Sequence, residues 1–359
     1  MPKISKERLD RYRQLADRGL WDVKDPDFRK FFERAAEEGV EMVSNNYNQL
    51  GMFRSPHKKD LEDVDIAMVG VPMDLGVPNP RPGTRLGPKE VRYWSLDRNM
   101  VHYATRVCPF DLCSIIDWGD VEFTRDPYSL TSCLEELTEL YAQFKENNII
   151  PLTIGGEHTI TYAILKALGA EEPLSVIHLD AHGDTSVGFG GTRISDATLF
   201  QVATVEGVID PEKMIQVGMR GRGIVRCDFS YDVGMRVVLA DEFQKKGAAV
   251  IAQEARNVVG DGPVYLTIDT DVFDCSVMPG TTLPEPFGLT SREVRDFIRG
   301  LRGLNLVGAD LMELSPPFDP TGQSSCLASG IAFEMLCLLA EARAIHSGTK
   351  RKTHWNGYH

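Results

Sequence analysis

Residues 174–184 read LSVIHLDAHGD, and this stretch decides the fold. A mainly apolar run, 174–179, is followed at once by alternating Asp and His residues. Such a run is typical of a buried parallel strand whose carboxyl end faces a crevice. If the strand continues through the polar residues, alternate side chains point to one face, so Asp180, His182 and Asp184 should converge.

Similar apolar runs recur along the chain, with helical patterns between several of them. The apolar runs are DIAMVGVPMD (65–74), SIIDWGDV (114–121), IIPLTIGG (149–156), MIQVGMR (214–220), VYLTIDTDVFD (264–274) and NLVGADLMEL (305–314). Helices are predicted over 130–147, 158–168, 291–301 and 328–344, with a short helical turn at 211–213. The alternation predicts an α/β fold in three layers (α/β/α) around a central, mostly parallel sheet.

The two ends of the chain differ from this pattern. Residues 1–60 are rich in charge and contain helical patches such as 27–39, so we predict a helical extension that packs on the outside or on a neighbouring subunit. Residues 61–345 are predicted to form one catalytic domain. Residues 346–359 form a basic tail.

Composition narrows the class of protein. The net charge is −13, with 42% hydrophobic and 25% charged residues, which excludes a disordered chain. The negative charge argues against nucleic acid or an anionic membrane as partner. No apolar stretch looks long enough to span a bilayer, and the charged N-terminus lacks the apolar core of a signal peptide. Seven cysteines at scattered spacings indicate reduced thiols and a cytoplasmic location.

Polar residues cluster where the predicted strands end. Ligands bind outside the carboxyl ends of strands in open α/β sheets. The residues in question are His158, Asp180, His182, Asp184, Asp269, Asp271, Asp274 and Glu313. So many carboxylates in one crevice repel one another unless cations compensate, and mixed His and Asp ligation suits Mn, Ni, Co, Fe or Zn ions. A pair of divalent cations is therefore predicted, and it would activate a water molecule.

Each motif alone has a plainer interpretation. A single Asp-x-Asp often caps a turn, and one His after two glycines often lies beside a helix N-terminus. Asp274 could equally be a cap or a loop ion pair. Taken together, these interpretations require several successive strand ends to carry buried charge for no reason.

Several blocks resemble the ureohydrolase superfamily, the arginase and agmatinase group. The matching blocks, in the family's order, are PGTRLGP (82–88), GGEHT (155–159), DAHGD (180–184), TIDTDVFDCSVMPGTTLPEPFGLT (267–290) and MELSPPFD (312–319). The resemblance spans residues from about 60 to 344. It implies an arginase-like fold, a binuclear centre of Mn²⁺ or Ni²⁺, trimeric or hexameric assembly, and hydrolysis of a guanidino C–N bond.

The resemblance also assigns roles to residues. One metal would be held by His158, Asp180, Asp184 and Asp269, and the other by Asp180, His182, Asp269 and Asp271. Asp184 would also accept a hydrogen bond from the attacking hydroxide. Glu313 would bind the substrate cation, and Asp274 would support the metal loop from outside the ligand set.

One departure from the family concerns the substrate. The family usually has a His-Gly pair shortly after this strand, where the His moves a proton to the leaving group. Here the stretch reads GGTRISDATLF (190–200), with Asp196 and Ala197 at that pair. Asp196 could move the proton, or bind an additional cationic nitrogen of the substrate, or mark altered chemistry.

Two functions of different class therefore stay open. The first is an amidinohydrolase of the agmatinase or guanidinobutyrase kind that acts on a small cationic guanidino compound other than arginine. Its finer alternative is a guanidine or biguanide (metformin-type) hydrolase. The second is a metal-binding partner subunit that is inactive without a homologous chain. A third, weaker interpretation is a deacetylase-like hydrolase of related fold. It is disfavoured because its single metal would need fewer ligands than GGEHT and the Asp269–Asp274 segment together offer.

Overall fold

The computed structural model describes residues 4–18, 23–37, 51–76, 81–188, 193–222 and 227–346. Its strands are β1 Ile66–Val71, β2 Ile115–Asp120, β3 Ile150–Gly155, β4 Leu174–Leu179, β5 Ile209–Met219, β6 Arg236–Leu239, β7 Val264–Asp269 and β8 Leu306–Met312. They form one sheet in the order β2-β1-β3-β8-β7-β4-β5-β6. Every neighbouring pair is parallel, which confirms the predicted sheet.

Helices cover both faces of this sheet. The helices of the described residues are α1 Lys6–Ala16, α2 Pro26–Glu37, α3 Gly87–Ser95, α4 Pro109–Leu112, α5 Leu130–Glu146, α6 Thr159–Leu168, α7 Leu199–Val205, α8 Asp228–Asp232, α9 Ala240–Lys246, α10 Ala248–Val259, α11 Ser291–Gly300 and α12 Gln323–His346, of which α1 buries no residue. Helices α3, α4 and α9–α12 pack in one apolar cluster, and α5–α7 pack in another. The predicted three-layer arrangement is therefore confirmed.

Strand β1 shows why the chain needs two helical layers. Its residues are all buried. Ile66 and Met68 belong to one apolar cluster, whereas Ala67, Val69 and Val71 belong to the other. Successive side chains of a strand point to opposite faces, so a strand that is apolar at every position must be covered on both sides.

The predicted helical turn at 211–213 is wrong, because β5 continues through these residues. The β4–β5 register jumps from Leu174↔Ile209 to Val176↔Met214, so 210–213 bulge out of the ladder. Pro211 has no backbone N–H to donate, and a bulge is a position that tolerates it. Residues 211–213 are therefore part of a bulged strand and do not form a helical turn.

Part of the N-terminal extension packs on this same chain. Helix α2 confirms the helical patch predicted at 27–39, of which residues 38 and 39 lie outside the described ranges. Phe31 is buried in an apolar cluster of the main body, and Phe28 and Phe32 pack against it. Asp25 forms an ion pair with Arg106 at 2.9 Å. Of the predicted basic tail, only His346 is described.

Helix α12 bears on the predicted absence of a membrane span. Contrary to that prediction, it is long and apolar enough to cross a membrane by length and composition. However, 72% of its apolar window is buried inside the protein, which is typical of a core helix. The seven cysteines form no disulfide.

Candidate metal centre

The predicted site residues follow strands that are neighbours in the sheet. His158 lies just past β3, Asp180 past β4, Asp269 at the end of β7 and Glu313 past β8. The sheet places these strands side by side as β3-β8-β7-β4. Because all strands are parallel, the residues meet at one edge, as the sequence predicts.

The local geometry differs from the predicted strand alternation. Strand β4 ends at Leu179, so Asp180, His182 and Asp184 belong to the following loop. Asp184 has a φ of 50°, in the left-handed region that non-glycine residues rarely adopt. Similarly, β7 ends at Asp269, and Asp271 lies in the 3₁₀ turn that follows. The backbone N–H of Asp271 donates to Asp269 Oδ1 at 2.7 Å. Tight turns, rather than an extended strand, bring these side chains together.

His158 is fully buried among aspartates. Its Nδ1 lies 3.3 Å from Asp180 Oδ2, 3.0 Å from Asp184 Oδ2 and 3.4 Å from Asp269 Oδ2. None of these contacts has the geometry of a hydrogen bond, so Nδ1 is a buried polar atom without a hydrogen-bond partner. A buried nitrogen that faces several carboxylate oxygens is the arrangement a cation requires.

His182 supplies a second, similar arrangement. Its Nδ1 lies 2.8 Å from Asp271 Oδ2 and 3.5 Å from Asp180 Oδ1. Asp180 thus presents one oxygen to each histidine. The geometry defines two possible metal groups that share this residue: His158, His178, Asp180 and Asp184 in one, and Asp180, His182 and Asp271 in the other.

The carboxyl groups lack enough compensating charge. Burial and the charge of Asp180 raise the pKa of Asp184 to about 7. Burial and neighbouring aspartates also raise the pKa values of Asp269 and Asp271. Only Asp180 is lowered well below its usual pKa, because His178, His158 and His182 outweigh its burial. The residues present therefore fit a site for divalent cations, which would satisfy the remaining charge.

Glu313 lies beside this cluster and is held on both oxygens. Oε1 accepts a hydrogen bond from the backbone N–H of His158 at 2.6 Å, and Oε2 accepts one from Thr282 Oγ1 at 2.6 Å. Its φ of 67° turns the chain sharply after β8. Burial and the charge of Asp196 raise the pKa of Glu313 to about 8. A cation that pairs with this carboxyl group would favour its ionised form.

Asp196 lies near the same carboxylates. It is buried, its Oδ1 accepts a hydrogen bond from the N–H of Ala197 at 2.8 Å, and burial raises its pKa. The charge of Asp196 is one cause of the raised pKa of Glu313, so the two carboxyl groups influence each other electrostatically.

Asp274 occupies a more peripheral position. Its Oδ1 accepts from the N–H of Ser276 at 2.9 Å and its Oδ2 from the N–H of Gly288 at 3.1 Å. Burial opposes ionisation, but these bonds lower its pKa below the usual value. Among the described residues, Asp274 bonds within the loop that follows Asp271 and neither caps a helix nor forms an ion pair. Its support of the metal loop stays a prediction.

Several further residues were missed by the sequence analysis. His178 Nε2 lies 2.8 Å from Asp180 Oδ2, and Gln216 Nε2 donates to Gly183 O at 2.6 Å and to His178 Nδ1 at 3.2 Å. Since His178 Nδ1 accepts, its Nε2–H donates to Asp180 and fixes that carboxylate. Spacing gave a signal for His178, because it lies on β4 only two residues before Asp180.

Arg220 and Glu157 were missed for another reason. The buried Arg220 guanidinium donates to backbone carbonyls on two loops, including Asp271 O at 2.7 Å and Glu285 O at 2.9 Å. Glu157 accepts the N–H of Gly76 at 2.7 Å, and burial and Glu313 raise its pKa well above the usual value. These contacts join residues far apart in the chain, so no local pattern announces them.

The chain is similar to known proteins over most of its length. A family model described as the Arginase family matches residues 64–337. The chain belongs to the arginase family. This family of hydrolases cleaves C–N bonds in amidino compounds, which confirms the predicted resemblance and enzyme class.

Individual members of the arginase family agree with the assignment. A guanidinopropionase of Pseudomonas aeruginosa is 41% identical over 295 residues, which cover 81% of this chain and 92% of that protein. A mitochondrial agmatinase of Gallus gallus is 38% identical over 303 residues, or 84% and 88% of the two chains. The solved structure of proclavaminate amidino hydrolase from Streptomyces clavuligerus matches with a TM-score of 0.78 and 38% identity, covering 83% of this chain and all of that one.

The titration of the cluster leads to a test of metal binding. Asp184 and Glu313, with pKa values of about 7 and 8, stay protonated in the folded metal-free chain while they ionise in the unfolded chain from about pH 4. Each such group destabilises the fold by on the order of 1.4 kcal/mol per pH unit across this window. We therefore expect the metal-free protein to lose stability as pH rises from about 5 to 8.

Added Mn²⁺ should reverse this loss, because it binds the ionised carboxylates of the folded state. In thermal unfolding, we expect the increase in Tm on adding Mn²⁺ to be larger at pH 8 than at pH 6. Equal increases at both pH values would contradict a carboxylate-rich metal site.

Proposed function

We propose that the protein hydrolyses a C–N bond of a small cationic guanidino compound other than arginine, and that two divalent cations, Mn²⁺ or Ni²⁺, assist it. The observation that carries the proposal is the convergence of His158, His182 and the neighbouring aspartates, with Glu313 beside them. The predicted ligands of one metal are His158, Asp180, Asp184 and Asp269, and those of the other are Asp180, His182, Asp269 and Asp271.

The residues around the cations divide the remaining work. When bound, two divalent cations supply Lewis-acid activation of a water molecule for attack on the guanidinium carbon. Glu313 binds the guanidinium group by charge-assisted hydrogen bonds and orients it. Asp184, as a carboxylate beside the activated water, accepts a hydrogen bond from it.

Asp196 is proposed to serve the leaving group. Its carboxyl group is buried near Glu313, and burial raises its pKa, so it can carry a proton to the departing nitrogen. Alternatively, it binds a second cationic nitrogen of the substrate. In either role, the kinetics of the enzyme depend on the acidic group of Asp196.

Replacement of Asp196 separates these roles. We expect Asp196→Asn to lower kcat by about 10²-fold if Asp196 transfers a proton, since general acid catalysis contributes at least this much. If it only binds a cation, KM rises and kcat is retained. Steady-state kinetics of the metal-loaded enzyme distinguish the two, and the asparagine keeps the volume of the side chain. Unchanged kcat and KM would contradict both roles.

A substrate panel tests the proposed activity itself. The metal-loaded enzyme should release urea or an amine from guanidino compounds that carry no carboxylate, such as agmatine. Guanidino acids belong in the same panel, and arginine should be a poor substrate. Absence of turnover on every member, with two metals bound per chain, would overturn the proposal.

Free guanidine or a biguanide is the second candidate substrate. It is favoured by the buried carboxyl groups of Asp196 and Glu313, which suit a compact or doubly cationic molecule. In that case this chain is one subunit of a hetero-oligomer, or a metal-binding partner that is inactive alone. Activity of the purified chain on agmatine, without a partner, would favour the first candidate.

Assembly and location complete the proposal. We propose a trimer or hexamer, by analogy with the resemblance to the ureohydrolase group, and light scattering of the purified protein measures this. We propose a cytoplasmic location, supported by seven cysteines that form no disulfide.

A further inference from the structure

A buried chain of hydrogen bonds leads away from the ligand His158, on the side opposite the aspartates. His158 Nε2 lies 2.8 Å from Thr267 Oγ1. Thr267 Oγ1 in turn donates to Asp310 Oδ1 at 2.5 Å. Asp310 lies on β8 and Thr267 on β7, and both are completely buried.

The other oxygen of Asp310 is also occupied. Asp310 Oδ2 accepts hydrogen bonds from Tyr265 OH at 2.7 Å and from Thr161 Oγ1 at 2.7 Å. Hydroxyl groups from α6 and β7 thus converge on one carboxylate. A carboxylate that accepts from three hydroxyls has a fixed position and offers no proton.

The direction of these hydrogen bonds determines which ring nitrogen of His158 carries a hydrogen. A threonine hydroxyl has a single hydrogen, and Thr267 gives it to Asp310, so Thr267 can only accept from His158. His158 must therefore carry its hydrogen on Nε2. In the neutral ring that a metal ligand requires, the lone pair of Nδ1 is then directed towards Asp180, Asp184 and Asp269, at 3.0–3.4 Å.

We propose that Asp310 is a positioning residue that, through Thr267, holds the Nε2–H tautomer of His158 and so presents Nδ1 as a metal ligand. This inference rests on the proposed metal centre. An asparagine at this position would test it, because an amide N–H donated to Thr267 would let Thr267 donate to His158. The hydrogen would then move to Nδ1 and block the metal.

The two metal sites provide a selective readout. Only the site that contains His158 depends on this chain of bonds, whereas the site of His182 does not. In Mn²⁺ titrations followed by electron paramagnetic resonance, we expect two tight ions per unchanged chain. In Asp310→Asn, one ion should bind about 10–100-fold more weakly, the effect typical of residues behind a ligand, and the other should bind as before.

Variants of Thr267 test the same chain of hydrogen bonds in case Asp310→Asn does not fold. Thr267→Val removes the hydroxyl at nearly constant volume and should weaken the same ion, whereas Thr267→Ser keeps the hydroxyl and should restore it. Tyr265→Phe removes a donor to the other oxygen of Asp310 and should leave both ions tight.

The possible failures are distinct. Fewer than two tight ions in the unchanged chain would overturn the proposed metal centre. Two ions in the unchanged chain that bind equally tightly in Asp310→Asn and Thr267→Val would overturn the role of Asp310 alone. Equal weakening of both ions in these variants would also overturn it, because a merely structural role predicts that result.

Discussion

Asp269→Asn should abolish hydrolysis and leave the metal-free protein at least as stable as the unchanged chain. Asp269 lies 3.4 Å from His158 Nδ1, and its charge is proposed to be shared by both metals. Loss of that charge should cost several kcal/mol of transition-state stabilisation, so kcat/KM should fall by at least about 10⁴-fold. Activity assays with saturating Mn²⁺ measure this loss.

The stability half of this expectation follows from the pKa of Asp269, which burial and Asp271 raise well above the usual value. Ionisation of this group above about pH 4 therefore favours the unfolded chain, and a neutral asparagine removes that penalty. The side-chain carbonyl of the asparagine can still accept the N–H of Asp271, which Asp269 Oδ1 now accepts at 2.7 Å. Thermal unfolding without metal should give an equal or higher Tm at pH 8.

Asp117→Asn is the matched control. Asp117 is also fully buried, but its Oδ2 accepts from Arg92 Nε at 2.7 Å and from the N–H of Met52 at 2.8 Å. Breaking a buried ion pair costs about 3–5 kcal/mol, so this variant should lose stability while folded molecules keep their activity. A fall in the metal-free Tm of Asp269→Asn as large as that of Asp117→Asn would contradict an electrostatically strained site.

The contrast between these aspartates shows how much the sequence can predict. Strand ends with Asp and His identified which residues would meet, since parallel strands bring their carboxyl ends to one edge. The predicted cause of the convergence, alternation along an extended strand, was wrong. Asp180 and Asp184 lie beyond β4, in a loop in which Asp184 has a positive φ. Local alternation cannot reveal such a turn when the residue is not glycine.

Long-range polar contacts were beyond sequence reasoning. The bond between His158 and Thr267 spans 109 residues, and no spacing rule relates the two positions. The edge of the sheet was missed too, because β6 has only 4 residues and no distinct pattern. Periodicity reports which face of an element is apolar, whereas the partners of a buried polar atom depend on the folded packing.

Glu313→Gln should lower kcat/KM by about 10³-fold, because a buried carboxylate that loses its charge forfeits about 4 kcal/mol of pairing with a cation. The fold should survive this change. The side-chain amide of the variant would keep one carbonyl oxygen for the N–H of His158, and the Thr282 hydroxyl can rotate to accept from the amide nitrogen. Circular dichroism and Mn²⁺ stoichiometry should therefore match the unchanged enzyme.

A competitive inhibitor separates binding of the cation from chemistry. Guanidinium ion should inhibit the unchanged enzyme competitively, and its inhibition constant should rise at least about 10-fold in Glu313→Gln, because a charged hydrogen bond is worth about 1.5–3 kcal/mol. Thr282→Val is the matched control, since it removes one donor to Glu313 and leaves the carboxylate. It should change the inhibition constant far less than the loss of charge does. Equal guanidinium inhibition in Glu313→Gln and the unchanged enzyme would show that the substrate cation is bound elsewhere, and Asp196 would then be the residue to replace next.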